Sequence, residues 1–79
     1  MGRLFSFGNV RGVVYGGDHL PPHFHVVGPD FQAVIEVETL AVIAGHLPRS
    51  LLAQVRDWAE ANRPALTAEW NRCNRRFPM

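Results

Sequence analysis

The spacing of the apolar residues changes once along this chain, at Pro48. Before Pro48, glycines and prolines interrupt short runs of β-branched and aromatic residues, a pattern typical of strands. After it, apolar residues recur every three or four positions, as they do in amphipathic helices. Strands followed by helices indicate the α+β class. We therefore expect an antiparallel sheet of four or five strands over residues 3–45, followed by two C-terminal helices packed on one of its faces.

One small domain accounts for the whole chain. It has 79 residues, of which 47% are apolar and 19% charged, and its formal charge is +1. So short a chain cannot build two cores, and it is too apolar for a disordered one, so we expect a single domain over residues 1–79. The near-neutral charge argues against a protein that coats nucleic acid. A domain of this size buries only about 60–65% of its unfolded surface, so we expect a homo-oligomer or a hetero-complex.

Turn residues divide the first part into five predicted strands, 3–7, 11–15, 23–27, 31–37 and 41–44. The short links between most of these strands favour an antiparallel meander. Pro48 begins the first predicted helix, Pro64 begins or kinks the second, and Pro78 ends it. Cys73 is the only cysteine, and no apolar run approaches the roughly 18 residues that span a bilayer. We therefore expect a cytoplasmic protein with no membrane insertion.

Three of the four histidines lie in one segment, Asp18–Val26, which contains two adjacent prolines. In a strand His23 and His25 point to one face, so we expect both imidazoles outside the core and the alternate residues inside it. The following turn closes either between Val27 and Asp30 or between Val27 and Gln32. The second pairing places His23 directly opposite Glu36, which predicts a histidine–carboxylate pair. Arg11 and Tyr15 join this face if their strand has the matching orientation.

Two imidazoles near an arginine suit the cleavage of a phosphodiester. One histidine would take the proton of a ribose 2′-hydroxyl, and the other would protonate the leaving oxygen. The arginine would bind the charged phosphorus centre, and no metal or other cofactor is needed. The candidate catalytic residues are His23 and His25 as acid and base, Arg11 as phosphate clamp, and Tyr15, His19 and Glu36 as supporting groups.

The same histidines have two other interpretations. Their spacing, His-x-x-x-His-x-His, could bind zinc or another divalent metal through His19, His23, His25 and Asp18. Alternatively, they are polar side chains on a half-buried strand and have no chemical role. Two groups of arginines could also bind an anion or be solvated: Arg49, Arg56 and Arg63 at seven-residue spacing, and Arg72, Arg75 and Arg76 near the C-terminus.

The chain resembles the small bacterial family called domain of unknown function 4160. The resemblance rests on Gly12 and Tyr15, on the Asp18–Val26 segment, and on a late stretch from Asn62 to Asn71. Members of that family are regarded as toxins of type II toxin–antitoxin pairs, with a second small protein encoded beside them. The resemblance therefore implies a growth-impairing toxin with a cognate small antitoxin as partner. RNA cleavage or a block of translation, with RNA or the ribosome as target, is the expected activity, and a non-enzymatic binding module is the alternative.

Overall fold

The computed structural model describes residues 2–17 and 19–79. Its strands form one antiparallel sheet in which neighbours in the chain are neighbours in the sheet. This confirms the expected α+β fold. Within the described residues, no helix has the length and hydropathy needed to cross a membrane. The elements are β1 (Gly2–Phe7), β2 (Val10–Val14), β3 (His23–Val27), β4 (Gln32–Glu36), β5 (Val42–Gly45), α1 (Arg49–Ala61) and α2 (Arg63–Cys73).

Both helices contribute to a core that covers one face of the sheet. Phe24 and Val26 are fully buried there, as the alternation of β3 predicts. The Phe5 ring packs 5.0 Å from the Trp58 ring of α1 and meets Phe24 edge-on. Burial of such apolar side chains is the main stabilising contribution in a domain of this size. The buried core residues from the helices are Val55, Ala59, Leu66 and Trp70.

The second helix is shorter than the sequence predicts. It ends at Cys73, where the Asn74 N–H donates to the Trp70 carbonyl, rather than at Pro78. The following residues fold into a turn, which the Phe77 N–H closes by donating to the Asn74 carbonyl. The indole of Trp70 then donates to the Phe77 carbonyl at 2.7 Å. Tertiary contacts of the tail thus end the helix before the proline does.

Two of the seven-residue-spaced arginines attach the helices to the loop between β4 and β5. Arg56 donates to the Leu40 carbonyl at 3.0 Å. Arg63 donates to the Val37 carbonyl at 3.0 Å and also pairs with Glu60. These guanidinium groups bind backbone carbonyls of the protein itself, so the interpretation of this stripe as an anion site is not supported for Arg56 and Arg63.

Candidate functional site

The pairing of β2, β3 and β4 places most of the candidate residues on one face of the sheet. Residues paired across antiparallel strands project to the same side. Val13 pairs with His25, and His23 pairs with Glu36. Val27 pairs with Gln32, which confirms the second of the two predicted ways to close the hairpin. We call this surface, opposite the helices, the histidine face; its members include Arg11, Val13, His23, His25, Val34 and Glu36.

Four rings lie in a row beside this face. The Tyr15 and His25 ring centroids are 4.6 Å apart, and those of His25 and His23 are 5.2 Å apart. The His19 ring follows, 6.1 Å from His23. We call Tyr15, His25, His23 and His19 the ring row. Two imidazoles this close can both contact one small reacting group.

One expectation about the ring row is wrong. His23 is only 6% exposed, although both imidazoles were expected outside the core. It is the first residue of β3, at the end of the sheet, and its ring lies 5.5 Å from the Trp70 ring of α2. His25, in the middle of the strand, is half-buried. Alternation along the strand predicts the face of His23 but not its burial, because the covering group comes from a helix 47 residues later.

The two prolines hold His23 in a defined orientation. The His23 Nδ1 atom lies 2.7 Å from the Pro21 carbonyl oxygen. A carbonyl oxygen only accepts hydrogen bonds, so Nδ1 carries the proton in this contact. The next carbonyl, that of Pro22, accepts from the Val37 N–H at 2.9 Å and joins the segment to β4. The Pro-Pro pair therefore supplies both the tautomer of one imidazole and the attachment of its loop.

The remaining candidates are less closely gathered. Glu36 pairs with His23 as predicted, but its carboxylate accepts from the Thr39 hydroxyl at 2.6 Å. Arg11 is paired with Val27, four residues beyond His23, which is about 13 Å along the strand at 3.3 Å per residue. Arg11 is a diagonal neighbour of His25. The expected phosphate clamp is thus placed beside His25 and far from His23.

A groove that the sequence does not predict lies across the histidine face. It has a volume of 390 Å³ and reaches from Tyr15, which follows β2, to β5. Tyr15 and His25 contribute the rings, and the other lining residues are Gln32, Ala33, Val34, Ala44 and Gly45. Most of these residues carry no reactive group, and they come from three strands, so the sequence gives no signal of a site here.

The metal interpretation was based on His19, His23, His25 and Asp18. Asp18 lies outside the described residues. Among residues 2–17 and 19–79, no three histidine, cysteine or carboxylate side chains are arranged to hold a metal ion. The described side chains therefore do not form a metal site by themselves, whereas the acid–base interpretation requires only the two adjacent imidazoles.

Comparison with known proteins identifies a family. Neither the curated proteins nor the solved structures include a match to the chain. The family model described as "Domain of unknown function (DUF4160)" matches residues 13–71. This span is well over half of the chain and includes the whole ring row, while Arg11 lies just before it. The chain therefore belongs to the DUF4160 family.

Proposed function

We propose that this protein is the toxin of a bacterial type II toxin–antitoxin pair and impairs growth by cleaving RNA at the histidine face. The observation that carries the proposal is the 5.2 Å separation between the ring of His23, which is buried, and that of His25, which is half-buried and lines the groove. The resemblance described above supports the toxin role and a small antitoxin as partner. The acid–base pair supports RNA as the target.

The reaction uses the ribose 2′-hydroxyl as nucleophile. One imidazole of the pair takes the proton of this hydroxyl, and the resulting oxygen attacks the phosphorus. The bond from phosphorus to the 5′-oxygen breaks, and the other imidazole donates a proton to the leaving oxygen. The products are a 2′,3′-cyclic phosphate and a 5′-hydroxyl end. Arg11, a diagonal neighbour of His25, stabilises the additional negative charge on the phosphoryl oxygens.

The groove beside His25 supports a nucleic acid as substrate. Its 390 Å³ lies in the range of pockets that hold small ligands, about 300–1,000 Å³, so a nucleobase fits. Tyr15, which is 37% exposed, lines it and offers a ring face for stacking. Stacking of this kind tolerates different bases, so we expect a preference for single-stranded RNA rather than for one sequence.

The test compares purified variants on a single-stranded RNA oligonucleotide. We expect His23→Gln and His25→Gln each to lower the cleavage rate by about 10²–10⁴-fold, the usual contribution of a general acid or base. His46→Gln is the matched control, because His46 is exposed and lies outside the histidine face. An oligonucleotide with 2′-O-methyl groups should resist cleavage, since it lacks the nucleophile. Circular dichroism confirms that each variant is folded.

Induced expression provides the second part of the test. The native chain and His46→Gln should arrest growth, and His25→Gln should not. If His25→Gln cleaves RNA and arrests growth as the native chain does, the proposal is wrong. Growth arrest by all variants with intact cellular RNA would instead favour the non-enzymatic binding module. The exposed edge of β5, where Ile43 is 48% exposed, is the observation that favours that alternative.

A further inference from the structure

The turn after α2 is held firmly against the rest of the protein. Asn74 is 3% exposed, and its side-chain amide donates to the Tyr15 carbonyl at 3.1 Å. The Asn74 N–H binds the Trp70 carbonyl, and the Phe77 N–H closes the turn on the Asn74 carbonyl. The Trp70 indole binds the Phe77 carbonyl. Residues 74–77 therefore form a fixed turn and not a loose tail.

Arg75 and Arg76 occupy the two central positions of this turn and are exposed. Arg63 and Arg72 bind neighbouring carboxylates, but no hydrogen bond or ion pair joins Arg75 or Arg76 to another described residue. Both arginines line a cleft of 320 Å³. None of its described lining residues is acidic; besides the arginines they are Gly17, His19, Cys73, Asn74 and Phe77.

This cleft continues from the ring row. His19 lines the cleft, and its ring lies 6.1 Å from that of His23. The Gly17 N–H and the Cys73 carbonyl are 3.4 Å apart, which joins the loop before His19 to the end of α2. A polynucleotide strand bound along the ring row would therefore extend from His23 past His19 towards the two arginines.

We propose that the cleft binds a backbone phosphate of single-stranded RNA, adjacent to the phosphate that is cleaved. The guanidinium groups of Arg75 and Arg76 donate hydrogen bonds to its oxygens, and the anchored turn fixes the backbone from which both side chains extend. This inference rests on the proposed function, since it takes RNA as the substrate. It adds a second phosphate contact outside the catalytic pair.

The experiment measures binding without cleavage. The full chain is titrated into a fluorescent 2′-O-methyl oligonucleotide, and the affinity is followed by anisotropy from about 50 to about 200 mM salt. Each phosphate contact on a single strand contributes about 0.7 to the slope of log affinity against log salt. We expect Arg75→Gln/Arg76→Gln to reduce the slope by about 0.7, so that the native chain loses roughly threefold more affinity over this range than the variant does.

The controls separate the cleft from a general charge effect. Arg75→Gln and Arg76→Gln are also made singly and compared with Arg49→Gln, which removes one exposed arginine from the start of α1. Arg49→Gln should keep the native slope, and Arg75→Lys/Arg76→Lys, which keeps the charge, should retain most of it. The inference is overturned if the double glutamine variant keeps the native slope, if Arg49→Gln lowers the slope equally, or if the native chain does not bind the oligonucleotide.

Two further readouts are needed. One distinguishes an RNA phosphate from free inorganic phosphate as the ligand of the cleft, and the other shows whether the cleft proposal or the catalytic proposal has failed. The first readout is a titration with inorganic phosphate, followed by the amide resonances of residues 74–77. If phosphate shifts these resonances while the double glutamine variant keeps the native salt slope, the cleft is a small-anion site and the proposal that RNA binds there is overturned. Cleavage is scored separately with the native chain. Cleavage together with an unchanged slope in the double variant refutes only the cleft, whereas a reduced slope without cleavage refutes only the catalytic proposal.

Discussion

At the scale of single residues, Gly45 determines how the last strand can approach its neighbour. Its φ of +71° lies in the left-handed region, which L side chains seldom adopt. A Cβ at this position would overlap with the Gln32 carbonyl oxygen of β4. The same carbonyl accepts from the His46 N–H at 3.1 Å. Only glycine allows β5 to end so close to β4, at the wall of the groove.

We therefore expect Gly45→Ala to lower the free energy of unfolding by about 2–4 kcal/mol, through both backbone strain and steric overlap. Gly8→Ala is the matched control. Gly8 has a φ of +62°, but nothing lies within 4 Å of a Cβ built there. The control should cost about 1 kcal/mol, from strain alone. Urea denaturation followed by tryptophan fluorescence measures both, and equal losses would contradict the argument from close approach.

At the scale of elements, α2 carries a pH-sensitive ion pair near the start of the sheet. The Arg72 guanidinium donates to the Glu69 carboxylate, one helical turn earlier, and holds the pKa of Glu69 below its ordinary 4.5. A Cβ on Gly2 would overlap with this carboxylate, so β1 begins directly against it. A carboxyl whose pKa is lowered by folding stabilises the folded state above its unfolded pKa. That contribution disappears as the pH falls through the lower, folded value.

Glu69→Gln should consequently reduce the acid sensitivity of the fold. Between neutral pH and a pH below 4.5, the urea concentration at the unfolding midpoint should fall further for the native chain than for the variant. Because Glu69 is close to the surface, added salt should narrow the difference. Asp57→Asn, which removes an exposed carboxylate from α1, is the control for one fewer negative charge. If the midpoint of Glu69→Gln falls with pH as steeply as that of the native chain, the ion pair does not account for the loss of stability in acid.

At the scale of the whole molecule, the two edges of the sheet differ. The β1 edge strand is packed against α2. The β5 edge is uncharged, its sequence is Val-Ile-Ala-Gly, and Ile43 is 48% exposed. An uncharged edge of this kind pairs readily with another strand, because its backbone groups have no partner on the outer side. We expect the oligomer or hetero-complex to form at the β5 edge.

Ile43→Lys should therefore weaken self-association, since a charge on an edge strand opposes pairing. We expect the native chain to show concentration-dependent sedimentation, and Ile43→Lys to sediment as a monomer at the same concentrations. Leu20→Lys is the matched control, because Leu20 is 51% exposed but lies in the loop before β3. If the native chain is monomeric throughout, or if both variants behave alike, β5 is not a self-association edge.

Much of this architecture follows from local patterns in the sequence. The alternation in β3 predicted Phe24 and Val26 as core, and the turn at Gly28–Asp30 left only two ways to close the hairpin. The recurrence of apolar residues after Pro48 predicted α1 correctly. Period and turn chemistry depend on neighbours only a few residues apart, so they can be recognised before the fold is known.

The sequence alone determined the class of the fold, the order of its elements and the face on which the histidines lie. Only the tertiary structure decided that Trp70 buries His23, that Asn74 fixes the tail to Tyr15, and that two clefts adjoin the ring row. These features join residues that are about thirty to sixty positions apart in the chain. Such contacts arise from the packing of the strands and of α2 against one another, which is set by the shapes and burial of many side chains together and leaves no periodic signal in the sequence.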